Sequence, residues 1–179
     1  MCHILLQDPI FFKLLLRIDM EMAEQAQVQG CPCGGTLHKA NYPRKPRACP
    51  TEVRADYASR FSFCCSHCRK RTTSMSVRFL GRRVYVALAV VLMSQRAGAS
   101  ALATLSGALA IPSRTILRWQ HWWTGIFPAT PLWQAGCARF MPPVPASDLP
   151  DSLIQRFAGV AAEAMMRLLG FLTPVTVRQ

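Results

Sequence analysis

Acidic side chains are scarce: nine Asp and Glu stand against 21 Lys and Arg in 179 residues, a formal net charge of +12. The imbalance points to a polyanionic partner and away from chemistry that needs several carboxylates around divalent ions. A long apolar run is also missing. The longest, Val84 to Met93 with Tyr85 counted, covers ten residues, whereas a membrane-spanning helix needs about 20. It reads as a core helix or a buried strand, and no membrane partner is expected. The apolar start, with Ile10, Phe11, Phe12, Leu14, Leu15 and Leu16, is interrupted by Lys13 and Arg17 and meets Asp19 and Glu21 without a small-residue cleavage site, so no export signal is expected. There is no Gly-rich phosphate loop, no Ser-His-Asp set and no internal repeat, and His3, His38, His67 and His121 have no evident partners. The chain is therefore read as a non-enzyme of the bacterial cytoplasm, associated with the nucleoid.

What is present is concentrated. Lys39 to Arg83 holds 12 basic residues against Glu52 and Asp56, while the first 30 residues hold Lys13 and Arg17 against Asp8, Asp19, Glu21 and Glu24. Two closely spaced cysteine groups accompany it, Cys31-Pro32-Cys33-Gly34-Gly35 just ahead of the basic stretch and Cys64-Cys65-Ser66-His67-Cys68 within it. In a reducing compartment such groups favour metal ligation over disulfides. Two knuckles suit one structural Zn²⁺, whose four tetrahedral ligands leave no position for a reacting water. The expected ligands are Cys31, Cys33, Cys65 and Cys68. Cys64 competes with Cys65, since adjacent strand residues point to opposite faces and one of them reaches the ion. His38, His67 and Cys49 are reserves.

The expected architecture is mainly α with a small β zinc ribbon and a helix-turn-helix-type helical domain. Residues 1–29 form an amphipathic helix, with Phe12, Leu15, Leu16, Asp19 and Met22 to Ala23 near a 3.6-residue period, suited to packing or dimerisation. Residues 30–80 form the ribbon, with a strand around Arg60 to Phe63. Residues 81–125 hold three helices. Residues 126–150 form a proline-rich linker. Residues 151–179 hold a terminal helix from Asp151 to Phe171, capped by Asp148 or Asp151, and a tail.

Three groups of cations are candidate DNA contacts. Arg44, Lys45 and Arg47 sit in a proline-stiffened loop that can follow phosphates with little ordering cost. Arg69, Lys70, Arg71, Arg82 and Arg83 follow the second knuckle; Arg78 joins them as a phosphate-binding candidate. The third group lies in a helix-turn-helix pattern: a helix from Ser100 to Ala110 stops at Ile111-Pro112, Ser113 is a favourable N-cap, and a second helix runs toward Thr124. There Ile116, Trp119, Gln120 and Trp123 share a packing side, leaving Arg114, Thr115, Arg118 and His121 toward a major groove. Ala110 stands where many such motifs carry glycine.

The order of these parts, from Cys31-Pro32-Cys33 through Phe63 to Thr73 and on to Leu105 to Trp119, resembles the N-terminal half of zinc-ribbon insertion-sequence transposases of the DDE type, over about residues 30 to 124. The resemblance implies that Cys31, Cys33, Cys65 and Cys68 bind zinc and that Arg114, Thr115 and Arg118 read double-stranded DNA at an element's end. In that family an RNase-H-like domain with an acidic metal-binding triad follows. Here 55 residues follow Thr124 and their acidic groups are Asp148, Asp151 and Glu163, so the catalytic domain is not expected. The expectation is a zinc-stabilised DNA-binding accessory factor of a mobile element or a transposase-derived DNA binder. Alternatives are a subunit docking onto a larger nucleic-acid enzyme or a second copy of itself, a catalytically active transposase or nuclease component, and RNA in place of DNA.

Overall fold

A computed structural model describes residues 2–81, 84–95 and 99–177. Roughly half of the chain is helical, counting single turns, and a small antiparallel sheet completes it. Helix α1 (Pro9–Gln29) begins where local chemistry dictates. The Asp8 carboxylate accepts from the backbone N–H groups of Ile10 and Phe11 at 2.9 and 3.3 Å, and Pro9 occupies the first helical position, where its missing N–H costs nothing. Gly30, at φ 73°, ends the helix in a conformation that favours glycine. Five short strands follow: β1 (Leu37–Lys39), β2 (Tyr42–Pro43), β3 (Ser59–Arg60), β4 (Ser62–Cys65) and β5 (Arg71–Thr73). An antiparallel sheet has the order β1-β4-β5, with Leu37 opposite Cys65 and Cys64 opposite Arg71, while β2 and β3 form a two-stranded ribbon.

The apolar run forms helix α2 (Ala87–Leu92), every residue of which is buried, which decides between the two expectations for it. Among the described residues no helix is long and apolar enough to cross a membrane. Helices α3 (Ala99–Ala108) and α4 (Ser113–His121) follow, then α5 (Pro131–Gly136), α6 (Asp151–Ile154) and α7 (Ala161–Phe171). The main core draws on the whole length of the chain, from Leu5, Phe12 and Leu15 through Tyr57, Phe79 and α2 to Trp123, Trp133, Leu153 and Leu169. A second, smaller cluster joins Ala23 of α1 to Leu37, Phe63 and Cys65. Helix α1 therefore spans both cores, its first half in the main one and its second half behind the sheet.

Several expectations are corrected. Residues 126–150 do not form a linker: their prolines break the chain into single turns, yet Phe127, Trp133 and Leu149 are buried, and a run of aromatic rings from Trp123 through Phe127, Trp133 and Phe140 reaches Phe171 on α7. The terminal helix is two helices, separated at Gly159, whose φ of 120° is incompatible with helix; the capping position of α6 is held by Pro150 rather than by Asp148 or Asp151. Ser113 is the first helical residue of α4 rather than its cap. The capping position is held by Pro112, whose carbonyl accepts from Thr115 N–H at 2.8 Å.

Arg78 is not a surface cation. Its side chain is fully buried, its Nε donates to Asp19 Oδ2 at 2.7 Å, its Nη1 donates to the Asp56 carbonyl at 2.8 Å, and the rings of Tyr57, Phe61 and Phe79 surround it. Asp19 also accepts from Ser76 Oγ and Val77 N–H. An ionised pair survives burial when its remaining hydrogen-bonding capacity is met in this way. Among the described residues Arg60 is the other buried cation: it donates to the carbonyls of Gly81, Ser74 and Thr176, which ties the second half of the ribbon to the C-terminal segment, and burial pulls its pKa down to about 10.

The bend between α3 and α4 places Ala110 at φ 50°, a left-handed conformation in which Cβ crowds the next carbonyl. Glycine lacks that crowding but adds unfolded-state entropy, so Ala110→Gly is expected to raise stability by up to about 1 kcal/mol, measured as a higher urea midpoint at unchanged slope.

Candidate metal centre and its basic surroundings

Two loops bring four sulfurs together. The first follows α1 directly, so the rigid helix end sets where Cys31 and Cys33 begin; Gly34, at φ 79°, turns the chain back, with its N–H donating to the Cys31 carbonyl at 2.8 Å. The second leaves β4 after Cys65 and returns into β5, closed by the Arg69 N–H on the Cys65 carbonyl at 3.2 Å and the Cys65 N–H on the Lys70 carbonyl at 3.0 Å, with Arg69 at φ 60°. The resulting Sγ atoms of Cys31, Cys33, Cys65 and Cys68 all lie within 4.8 Å of one another, with Cys33 3.4 Å from Cys31 and 3.5 Å from Cys65, and Cys31 3.6 Å from Cys68. Four thiolates around one ion at a metal–sulfur distance of about 2.3 Å stand about 3.8 Å apart. The donor set therefore fits a closed, four-sulfur metal site.

The choice between Cys64 and Cys65 follows from strand alternation. Cys65 is fully buried and turned toward the cluster, whereas the Cys64 thiol faces the Arg69 carbonyl at 3.6 Å on the opposite side of β4. The reserve ligands stand apart: His38 is on β1 opposite Cys64, His67 is exposed, and Cys49 is buried in the main core, where burial pushes its thiol up. A Cβ at Gly35 would lie 2.5 Å from Cys65 Sγ and 2.7 Å from His67 Cβ, so the second glycine of the Gly34-Gly35 pair is required by close approach of the two loops. That doublet was the signal in the sequence for a residue its ligand pattern does not include.

Backbone N–H groups point at the sulfurs, as thiolates require. Cys33 is drawn down to about 6, first by the Gly35 N–H and then by the thiols of Cys31, Cys65 and Cys68. The Cys68 N–H, followed by that of His67 at 3.4 Å, lowers Cys65 against its burial. For Cys31 the Cys33 N–H favours the thiolate, but the Cys33 thiol, burial and the thiols of Cys68 and Cys65 outweigh it and push the group up to about 12. A bound dication would stabilise all four sulfurs as thiolates.

Cations surround the centre unevenly. Arg69, Lys70 and Arg71 are exposed, and the Arg71 guanidinium lies 4.1 Å over the Tyr42 ring, joining the second knuckle to the loop of residues 41–47. Lys45 and Arg47 are exposed, while Arg44 is half-buried against Phe79 and donates to the Gly81 carbonyl at 3.3 Å. Arg82 and Arg83 lie outside the described residues. On α4, Ser113, Arg114 and Arg118 are exposed. Thr115 is not: it is 5% exposed and accepts from Arg118 Nη2 at 3.4 Å, so its place on the groove-facing side is corrected to the packed side.

Tyr85 joins the loop to the helix. Arg47 lies over its ring at 6.0 Å, its edge packs on Trp119 of α4 at 5.0 Å, and the backbones of Arg47 and Tyr85 form a parallel bridge. Beside it a cleft of about 490 Å³ opens between Tyr85, Thr115, Arg118, Trp119 and Trp122. No protein-family model, curated protein or solved structure matches this chain.

Proposed function

We propose that the protein is a zinc-stabilised binder of double-stranded DNA, an accessory or regulatory factor of a mobile element or a binder derived from a transposase. Zinc is the ion favoured by four thiolates in a closed site, and such a site works by holding structure rather than by reacting. The observation that carries the reading is the double contact of Tyr85, which sets the cationic loop at Arg47 beside the helix that exposes Arg114 and Arg118. Through Arg71 on Tyr42 the same loop adjoins the second knuckle, so phosphate-binding cations and a candidate base-reading helix lie along connected elements. The left-handed Ala110 between α3 and α4 occupies the position where helix-turn-helix bends commonly use glycine, which supports assigning α4 as the recognition helix.

In this arrangement Lys45, Arg47, Arg69, Lys70 and Arg71 would neutralise phosphates, Arg114 and Arg118 would reach base edges in the major groove, and the metal would fix the first group against the second. Thr115, buried on α4, is left out of the base-reading set.

Titration of fluorescent duplex DNA at several salt concentrations tests this. Binding should weaken steeply with salt, and losing one phosphate contact, as in Lys45→Ala, should lower the log–log slope by about 0.9. Arg114→Ala and Arg118→Ala should each cost about 1–3 kcal/mol on a selected site and little on random sequence. Equal losses on both DNAs would remove α4 from base reading, and a metal-loaded protein that leaves DNA free near physiological salt would overturn the proposal.

A further inference from the structure

The face of α1 turned away from the core carries a regular pattern of apolar and charged side chains. Phe12, Leu15, Asp19 and Ala23 are buried on one side of the helix, while Ile10, Leu14, Arg17, Glu21, Glu24 and Val28, spaced 4, 3, 4, 3 and 4 residues apart, are all exposed on the opposite side. That spacing is the seam of a two-helix coiled contact. Ile10 and Val28 are 79% and 88% exposed, large aliphatic side chains at the two ends of a seam that nothing else in the described chain covers.

The geometry points to a second copy of this chain as the occupant, paired through α1 in antiparallel fashion about a two-fold axis near Asp19. In that register Ile10 meets Val28 of the second copy, Leu14 meets Glu24, and Arg17 meets Glu21, each contact occurring twice because a two-fold interface is self-complementary. The apolar pairs fall at the ends and the opposite charges at the centre. Lys13, beside Leu14, adds a cation near Glu24 of the second copy. A parallel pairing would set Arg17 against Arg17 and Glu21 against Glu21, so the charge order selects the antiparallel arrangement. Arg17 and Glu21 form no ion pair among the described residues. As an intrahelical i, i+4 pair they stand in the weaker order, with the cation nearer the N-terminus, which leaves both available across the axis.

At 1.5 Å per residue α1 is about 32 Å long, and the pairing places the two metal centres at opposite ends of the contact, beyond the C-terminus of each α1. With a polar centre and few apolar contacts, the expected association is micromolar rather than obligate. The pairing does not depend on what the cationic elements bind.

Sedimentation equilibrium of the full-length, metal-loaded protein, from about 1 to about 200 µM, decides it. The wild type should dimerise within that range. Arg17→Glu and Glu21→Arg, both on the exposed face, should each weaken the dimer at least tenfold by opposing like charges twice. Mixed one to one, the two variants should recover association, because the two carboxylates that the first variant carries at the centre of its seam then face the two guanidinium groups of the second. Circular dichroism of each variant checks folding, and the mixture tests the register even if either alone is less stable. A wild type that stays monomeric, a dimer insensitive to both reversals, or a mixture that remains monomeric would each overturn the proposal.

Discussion

Removing the metal, or replacing Cys65 by Ser, is expected to melt the two metal loops and the three-stranded sheet, residues 31–40 and 61–73, while the main core, which includes Ala48 to Tyr57, holds. The reason is the size of the smaller cluster. Behind the sheet lie only Ala23, Leu37, Phe63 and Cys65, with Ala26, Phe61, Cys31 and Cys68 partly buried around them, and the three strands are three, four and three residues long. Such a sheet is marginal by itself. A structural zinc ion contributes an apparent binding free energy of about 10–16 kcal/mol in zinc-finger peptides, far more than this apolar area supplies. Helix α2 and its surroundings draw on the separate, larger core and should keep their protection.

Hydrogen exchange with and without chelator measures both regions at once. Cys65→Ser should abolish high-affinity metal binding; Cys64→Ser, on the other side of β4, should leave it intact. If the two variants exchanged roles, the strand register around Leu37 and Cys65 would be wrong. The pH dependence has a definite sign. Ligation requires thiolates, so lowering the pH sets protons against the metal and releases it, and raising the pH does not. Where the sheet melts, Arg71 leaves Tyr42 and the loop of residues 41–47 loses that anchor, so affinity for DNA should fall with the metal even though every cation is still present.

The second large effect is at Asp19. With Arg78 fully buried, Asp19→Ala leaves an uncompensated charge among Tyr57, Phe61 and Phe79 and also strips Ser76 and Val77 of their acceptor. Breaking one side of a buried pair costs about 3–5 kcal/mol, a large share of the roughly 5–15 kcal/mol that holds a domain together. Replacing both partners with apolar residues, as in Asp19→Leu with Arg78→Met, removes the stranded charge and should recover most of the loss. Urea unfolding of Asp19→Leu, Arg78→Met and the double variant gives the coupling directly. A loss below about 1 kcal/mol for Asp19→Ala would show that water reaches the pair and that the core is more open than described.

Much of the local structure was legible because its causes are local. The period of Phe12, Leu15, Asp19 and Ala23 marks α1 in the sequence, and the structure starts it at Pro9 through Asp8 cap bonds that span two or three residues. The spacing of the cysteines within each knuckle marks a metal loop through turn geometry alone; the alternation around Arg60 to Phe63 marks extended chain, which the structure divides at Phe61 into β3, paired with β2, and β4, in the three-stranded sheet. Other features required the tertiary structure, for identifiable reasons. Arg78 was indistinguishable from the cations near it, because its partner is 59 residues away; the only hint was a carboxylate on the apolar stripe of α1. Thr115 is buried although a short polar residue at the edge of a helix face carries no sign of its burial in the sequence; its hydroxyl accepts from Arg118 one turn on. The aromatic side chains of residues 126–150 outweighed the prolines that suggested a linker, because apolar area is buried wherever the chain can bring it to the core.

The four-sulfur centre in outline, the basic character around it and the amphipathic first helix are all written in residue spacing and charge, and any fold of this chain would have to accommodate them. Which of two adjacent cysteines turns inward, which arginines are spent inside the fold and which remain at the surface are matters of three-dimensional packing, because each depends on strand register and on partners brought close from distant parts of the chain.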